Sequence, residues 1–176
     1  LLGMSFGGIY RATVFGMDYK KGKEPKDINI KVSDVNIVKE GVRRCFPKAV
    51  ILNDLDKVIV VSEVDEDVQE KAFRELMQNS MEKLQGFIQE QKKNFEIKAG
   101  VGKIAEGIVN LKHSYREAND ALEFLDVASD IFGKDSSNIL MFSDMGILKL
   151  LSSLKTKEEL QEYIPESLQK LYSDKK

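Results

Sequence analysis

Hydrophobic residues along this chain follow two different spacings, and together these spacings predict a mixed α and β fold. Segments rich in β-branched and aromatic residues are typical of strands, and they occupy residues 10–18, 49–52, 57–62, 95–101 and 138–142. Elsewhere apolar residues recur every three or four positions, which predicts helices with one buried face. These helical segments cover residues 30–45, 65–93, 107–127, 145–154 and 157–172.

Two of the predicted helices have a clear apolar stripe, which we expect to pack against a sheet. In the helix over residues 65–93, the stripe consists of Val68, Ala72, Leu76, Ser80, Leu84 and the neighbours Phe87 and Ile88. In the helix over residues 107–127, it consists of Leu111, Tyr115, Ala118, Leu122 and Leu125.

A cluster of turn-forming residues separates the second and third predicted strands. Asn53, Asp54, Leu55 and Asp56 lie between two β-branched runs, which is the arrangement expected of a β-hairpin. The first strand is expected beside this hairpin. The order β-α-β-β-α-β-α-β-α-α then predicts an α+β sandwich, in which a mostly antiparallel sheet carries helices on its faces.

Composition narrows the class of protein. The chain has 176 residues and a formal net charge of −2, so it provides a sizeable core but no positive field that would attract DNA. Its single cysteine, Cys45, excludes an internal disulfide and favours a cytoplasmic location. No apolar run reaches the ~18–20 residues of a membrane-spanning helix. Because the chain begins at Leu1 and ends in a lysine-rich tail, we expect a fragment of a longer protein.

The segment GVGKIA at residues 100–105 matches the pattern G-x-G-x-x-A directly after a predicted strand. In a parallel sheet this pattern would hold the phosphates of a dinucleotide. The predicted fold contains a hairpin and is not of that kind, so we favour a structural interpretation, in which the glycines allow a tight turn from strand to helix. The segment is not a P-loop either, because Lys103 precedes Ile104 and no Ser or Thr follows it.

Other reactive residues are few. His113 is the only histidine and is predicted on the solvent side of its helix, and a catalytic pair with Cys45 has no support from the pattern. Asp18, Asp54 and Asp56 lie near strand ends, where carboxylates either hold Mg²⁺ or form turns. Turn formation is the commoner use of aspartate there, and we favour it.

The stretch from Lys98 to Asp126 resembles a known signature. Its glycines, its run SYREA at residues 114–118 and the pair Ala121 and Leu122 are similar to the GGDEF-like domain of bacterial transcription regulators of the sugar-diacid (CdaR) and purine-catabolism (PucR) type. The resemblance extends to GGIYRA at residues 7–12 and to the closing strand and Asp-x-Gly turn at residues 138–146. The signature residues, expected to be structural, are Gly100, Gly102, Gly107, Ser114, Tyr115, Glu117, Ala118, Ala121, Leu122, Asp144 and Gly146.

The resemblance implies a degenerate, ferredoxin-like relative of the nucleotide and diguanylate cyclases. In active cyclases the central hairpin turn carries the sequence GGDEF. Here the turn consists of Asn53, Asp54, Leu55, Asp56 and Lys57, and both glycines are missing, so a guanine nucleotide cannot approach the backbone in the same way. We therefore expect no catalytic residues, no cofactor and no metal site.

The resemblance also implies a role. We expect residues 1–154 to form a non-catalytic regulatory and dimerisation domain, and residues 155–176 to connect it to a missing helix-turn-helix domain. The expected partners are a second copy, DNA only through that missing domain, and an unidentified small-molecule effector, with no membrane. Two alternatives stay open: a nucleotide-binding or active cyclase-like enzyme, and the middle domain of an AraC-type response regulator.

Overall fold

The structure, a computed structural model, describes residue 4 and residues 6–19, 28–65, 70–132 and 138–146, with side chains described over the same ranges except residues 28–30 and 126–132. Val68, the helix predicted over residues 157–172, the connector predicted over residues 155–176 and most of the helix predicted over residues 145–154 lie outside these ranges. The sheet and its helices belong to a compact unit that ends at Ser143.

The described elements follow the predicted order, with β5 and two 3₁₀ turns in addition. The strands and helices are β1 (Ile9–Tyr19), α1 (Ile28–Cys45), β2 (Val50–Asp54), β3 (Lys57–Glu63), α2 (Glu70–Glu90), β4 (Phe95–Val101), β5 (Ala105–Glu106), α3 (Leu111–Phe132) and β6 (Ile139–Met141). Short 3₁₀ turns cover Ile108–Asn110 and Phe142–Asp144. The helix predicted from residue 107 therefore begins as a 3₁₀ turn, and β5 was not predicted.

Most neighbours in the sheet are antiparallel. The strand order is β2-β3-β1-β4-β6, with the short β5 pairing beside β1. Among the described strands, only the β4–β6 pair is parallel. The first strand lies next to the hairpin, and the predicted α+β fold with a mostly antiparallel sheet is confirmed.

Helices cover both faces of the sheet. Alternate residues of a strand point to opposite faces, and in β1 Phe15 joins the core beneath α1 and α2, whereas Ala12 and Val14 pack with residues of α3. The prediction of helices on the faces of the sheet is thus confirmed. None of the described helices combines the length and hydropathy needed to cross a bilayer.

The predicted buried stripe of α2 was partly wrong. Ala72 is exposed and Leu76 is 47% exposed, although both were assigned to the core. A stripe built on steps of four residues drifts around a helix that has 3.6 residues per turn, so it leaves the buried face. The buried residues combine steps of three and four, and they are Phe73, Met77, Ser80, Met81, Leu84 and Ile88.

The stripe of α3 is closer to the prediction. Ala118, Leu122 and Leu125 are buried as expected, whereas Leu111 and Tyr115 are only half-buried. Two residues that the stripe omitted, Ser114 and Ala121, are buried as well. They are small, which allows the helix to lie close to the sheet.

Candidate functional site

A small cavity lies at the end of the hairpin, between the sheet and α3. Its volume is about 90 Å³. The residues around it come from β1, the hairpin, β4 and α3, and they are Gly16, Met17, Asp56, Lys57, Lys98, Leu122 and Glu123. Because it adjoins the hairpin turn and the end of β1, this cavity is the place to look for nucleotide chemistry.

A buried lysine of the cavity forms an ion pair with a carboxylate near the end of β1. Lys98 lies opposite Gly16 in the β1–β4 pair, and its side chain is only 9% exposed. Its Nζ atom lies 2.8 Å from Oδ2 of Asp18, which is close enough for an ion pair. A buried charge requires such a partner because desolvation would otherwise be costly. The Asp18 carboxylate is therefore already engaged by a cation of the protein itself.

The hairpin is tied to α3 at its lysine end. Lys57 Nζ donates a hydrogen bond of 2.7 Å to Oδ1 of Asn119 and lies 3.7 Å from Oε1 of Glu123. Asn119 Nδ2 in turn donates to Glu123 Oε1 at 2.6 Å. Lys57 therefore points across the cavity towards α3, and its charge at the rim is accompanied by the carboxylates of Asp56 and Glu123.

Further contacts hold the other end of the turn. The Tyr115 hydroxyl donates to Asp54 Oδ2 at 3.4 Å, and Lys39 Nζ of α1 donates to Asn53 Oδ1 at 3.0 Å. Burial, followed by the nearby Asp54 carboxylate, raises the pKa of the Tyr115 phenol. Since α1 and α3 lie on opposite faces of the sheet, the turn is held from both sides.

The turn itself has two residues, Leu55 and Asp56, between the paired Asp54 and Lys57. Leu55 has a φ of 51° and is 89% exposed. Glycine is favoured in this left-handed region, and a side chain there costs about 1–2 kcal/mol. The chain therefore adopts a strained, glycine-free turn with an apolar side chain at its tip.

The glycines at positions 100 and 102 serve close packing, not a turn. A Cβ atom on Gly100 would come closer than 3.0 Å to the Ala118 carbonyl oxygen, and one on Gly102 would lie 2.7 Å from the Ser114 carbonyl carbon. Neither glycine has a positive φ. The interpretation of both as turn glycines was therefore wrong, and it holds only for Gly107, whose φ is 74°.

Backbone amides that a phosphate would need are already used within the protein. Gly102 N donates to Ala12 O at 3.0 Å, and Lys103 N donates to Oε2 of Glu117 at 2.9 Å. Ser114 accepts a hydrogen bond from Ala12 N at 2.9 Å and donates one to Lys103 O at 2.6 Å. The loop after β4 is thus closed by the signature residues of α3, which leaves no phosphate cradle at Gly102 and Lys103.

The comparison with known families agrees with this arrangement of hairpin, glycines and α3. The chain matches the GGDEF-like domain family over residues 1–124. It belongs to that family. No curated protein matches the chain. The match covers the hairpin, the loop after β4 and most of α3, so the cavity lies within the GGDEF-like domain.

The other candidate catalytic and metal-binding residues do not come together in one site. Within the described ranges, no group of three histidine, cysteine or acidic side chains is placed to hold a metal ion. His113 is exposed on α3, whereas Cys45 belongs to α1 on the other face of the sheet and contacts the Ser80 carbonyl oxygen at 3.6 Å. Burial raises the pKa of the Cys45 thiol. Asp144 and Gly146 are exposed.

Of the residues that line the cavity, Asp56, Lys57 and Leu122 were predicted as turn or signature residues. Lys98 was predicted only as part of a strand, and Glu123 only as part of a helix. One signal was available: a charged residue between Ile97 and Ala99 in a central strand is rarely buried without a partner. Asp18, across the neighbouring strand, was the acid within reach.

Proposed function

We propose that this GGDEF-like domain is a non-catalytic regulatory and dimerisation domain of a cytoplasmic bacterial transcription regulator of the CdaR or PucR type. It couples an N-terminal sensory part to a C-terminal helix-turn-helix part, which alone contacts DNA. Residues 1–154 form the domain in this proposal, and residues 155–176 connect it to the DNA-binding part. The effector is a small molecule bound by the regulator.

The ion pair between Lys98 and Asp18, near the end of β1, is the observation that supports the absence of cyclase activity in this proposal. With Lys98 Nζ at 2.8 Å from Asp18, a divalent cation at this carboxylate would have to displace a buried ammonium group. Lys57, the other lysine at the rim of this cavity, donates a hydrogen bond to Asn119 and lies 3.7 Å from Glu123. This arrangement favours an empty metal position over a cyclase centre.

The size of the cavity supports the same proposal. Pockets for small molecules usually have volumes of about 300–1,000 Å³. The cavity at the hairpin has about 90 Å³, which accommodates a few water molecules but not a nucleoside triphosphate. Enlarging it would require breaking the contacts of Lys57 with α3.

The catalytic part of the proposal is tested by incubating the protein with GTP or ATP and Mg²⁺ and analysing the products by mass spectrometry. We expect no cyclic nucleotide, while an active diguanylate cyclase in the same buffer forms its product. Formation of a cyclic nucleotide above the rate of a heat-denatured sample would contradict the proposal.

Nucleotide binding without chemistry is tested separately by thermal shift. A ligand that binds only the folded state raises the melting temperature. We expect no rise with GTP, ATP or their diphosphates, with or without Mg²⁺. A saturable rise that Lys57→Ala abolishes would replace our proposal with that of a nucleotide sensor.

The regulatory part predicts what the gene encodes beyond this chain. We expect a helix-turn-helix segment after residue 176, and DNA binding by the full-length product but not by this chain in a gel-shift assay. A full-length product without a DNA-binding segment would contradict this part.

A further inference from the structure

Strand β2 is one edge of the sheet. Among the described strands it pairs with β3 only, over Val50–Asp54. Leu52, Asn53 and Asp54 are exposed, and Leu52 retains 44% of its accessible surface. An exposed edge strand with an apolar residue is a template for pairing with another strand.

The pairing with β3 determines which backbone groups of β2 point outwards. Across the two-residue turn, Asp54 and Lys57 must exchange hydrogen bonds, so Asp54, Leu52 and Val50 point their amide and carbonyl groups towards β3. The intervening residues Ile51 and Asn53 point theirs to the outer side. Among the described residues, no backbone hydrogen bond uses these outer groups.

These outer groups are self-complementary about Leu52. When a second copy approaches antiparallel with Leu52 opposite Leu52, Ile51 of each copy lies opposite Asn53 of the other. Each of these two pairs exchanges an amide and a carbonyl hydrogen bond, so all outward groups of the strand are used. Shifting the register by one pair in either direction would leave some of them unpaired.

Side chains in the same register also match. Leu52 and its symmetry mate form a non-hydrogen-bonded pair, whose Cα atoms approach to about 4.5 Å, so both exposed leucines become buried. The contact ends where the strand does, with Val50 of each copy opposite Asp54 of the other.

We propose that two copies of this chain associate through β2, in the register centred on Leu52, to form one continuous sheet across both copies. The inference rests on the dimerisation part of the proposed function and assigns its interface. It does not depend on whether the domain lacks catalytic activity. A two-fold interface of this kind requires the same patch on both copies to be self-complementary, as the β2 edge is.

Cysteine cross-linking tests the register directly. In a Cys45→Ser background, Leu52→Cys places two thiols across the axis, and a Cα separation of about 4.5 Å lies within the range of disulfides. We expect a covalent dimer on mild oxidation. The matched control is Gln78→Cys, an exposed position of α2 that should cross-link only at the rate of random collisions. Equal yields at both positions would overturn the proposal.

Analytical ultracentrifugation tests the centre of the contact. Leu52→Glu should raise the dissociation constant about tenfold or more, because it sets two carboxylates face to face. Far-ultraviolet circular dichroism verifies that each variant is folded.

The outcomes separate this inference from the proposal above. A dimer that Leu52→Glu leaves unchanged overturns the β2 interface but not dimerisation. A chain that is monomeric at every concentration, with no Leu52→Cys cross-link, overturns both the interface and the dimerisation. Cyclic nucleotide formation by an intact β2-mediated dimer overturns only the non-catalytic role.

Discussion

Replacing Gly100 with alanine tests whether the glycines around the end of β4 serve close packing against α3. The added Cβ would meet backbone atoms of Ala118 and Leu122 in α3, and backbone atoms cannot rotate away as a flexible side chain does. The helix would have to retreat from the sheet by roughly 1 Å, and a gap of 0.5–1 Å forfeits about a quarter to a half of the dispersion energy of the atoms that line it.

The magnitude follows from what α3 buries. Besides Ala118, the helix buries Ala121, Leu122 and Leu125 against the sheet. Full burial of a leucine contributes about 1.5–3 kcal/mol, and an overpacked site typically costs about 1–3 kcal/mol. We therefore expect Gly100→Ala to lower the free energy of unfolding by about 3 kcal/mol, a large part of the roughly 5–15 kcal/mol that stabilises a typical domain.

Urea unfolding followed by circular dichroism measures this loss, and α2 offers a matched control. Gly86 lies inside that helix, four residues before its last residue Glu90, and a Cβ there would have no neighbour within 4 Å. Gly86→Ala should therefore stabilise the protein by about 0.5–1 kcal/mol, since glycine is unfavourable inside helices. If the two variants were equally stable, or if Gly100→Ala changed stability by less than about 0.5 kcal/mol, the packing argument would be refuted.

Three further substitutions test two contacts of α3 and the backbone strain in the hairpin turn. Ser114→Ala should lower the free energy of unfolding in urea by about 1–3 kcal/mol, because the buried amide of Ala12 loses the hydroxyl that accepts its hydrogen bond. Leu55→Gly should stabilise by about 0.5–1 kcal/mol, because relief of about 1–2 kcal/mol of left-handed strain exceeds the added chain entropy of about 0.4–1 kcal/mol. The pKa of the Tyr115 phenol is raised on folding, so the protonated phenol stabilises the folded protein and this contribution is lost as the phenol ionises. Tyr115→Phe should therefore reduce the loss of stability that the parent protein shows when the pH rises above about 10.

Each of these has a control. Ser114→Thr keeps the hydroxyl and should retain more of the stability than alanine does. Leu55→Ala removes the exposed apolar side chain but keeps the strain, so an equal gain in both variants would point to exposure instead of φ. For Tyr115, absorbance titration of the parent protein should show one phenol that ionises at a higher pH than a free tyrosine, and this phenol should be missing from the titration of Tyr115→Phe. Identical titrations of the two proteins would contradict the raised pKa of Tyr115.

Local pattern was sufficient for the strands and the hairpin because β-branched runs and a turn cluster are short-range signals. It was insufficient wherever two distant segments meet. The stripe of α2 could not be assigned correctly from steps of four residues, and Ala72 and Leu76 were placed on the wrong side. Gly100 looks the same in a sequence whether it serves a turn or a helix that approaches the strand. Only the α3 backbone, 18 or more residues later, distinguishes these roles.

The candidate site shows the same limit. The hairpin turn was recognised from its composition, yet the ion pair between Lys98 and Asp18 joins strands that are far apart in the chain. No spacing rule connects them. A buried lysine in a central strand indicates that an acid must lie nearby, and the strand order, which local pattern does not provide, identifies that acid.

The parallel pairing of β6 has a consequence for how the domain is delimited. The family match ends at Phe124, within α3, but the sheet continues with Ile139–Met141 paired along Ala99–Val101 of β4. A fragment cut at the end of the match would lose the last turns of α3 and leave that side of β4 as a bare edge, open to unwanted pairing. The smallest piece that keeps the sheet closed on this side extends at least to Met141, and truncations for expression should be designed from that residue onward.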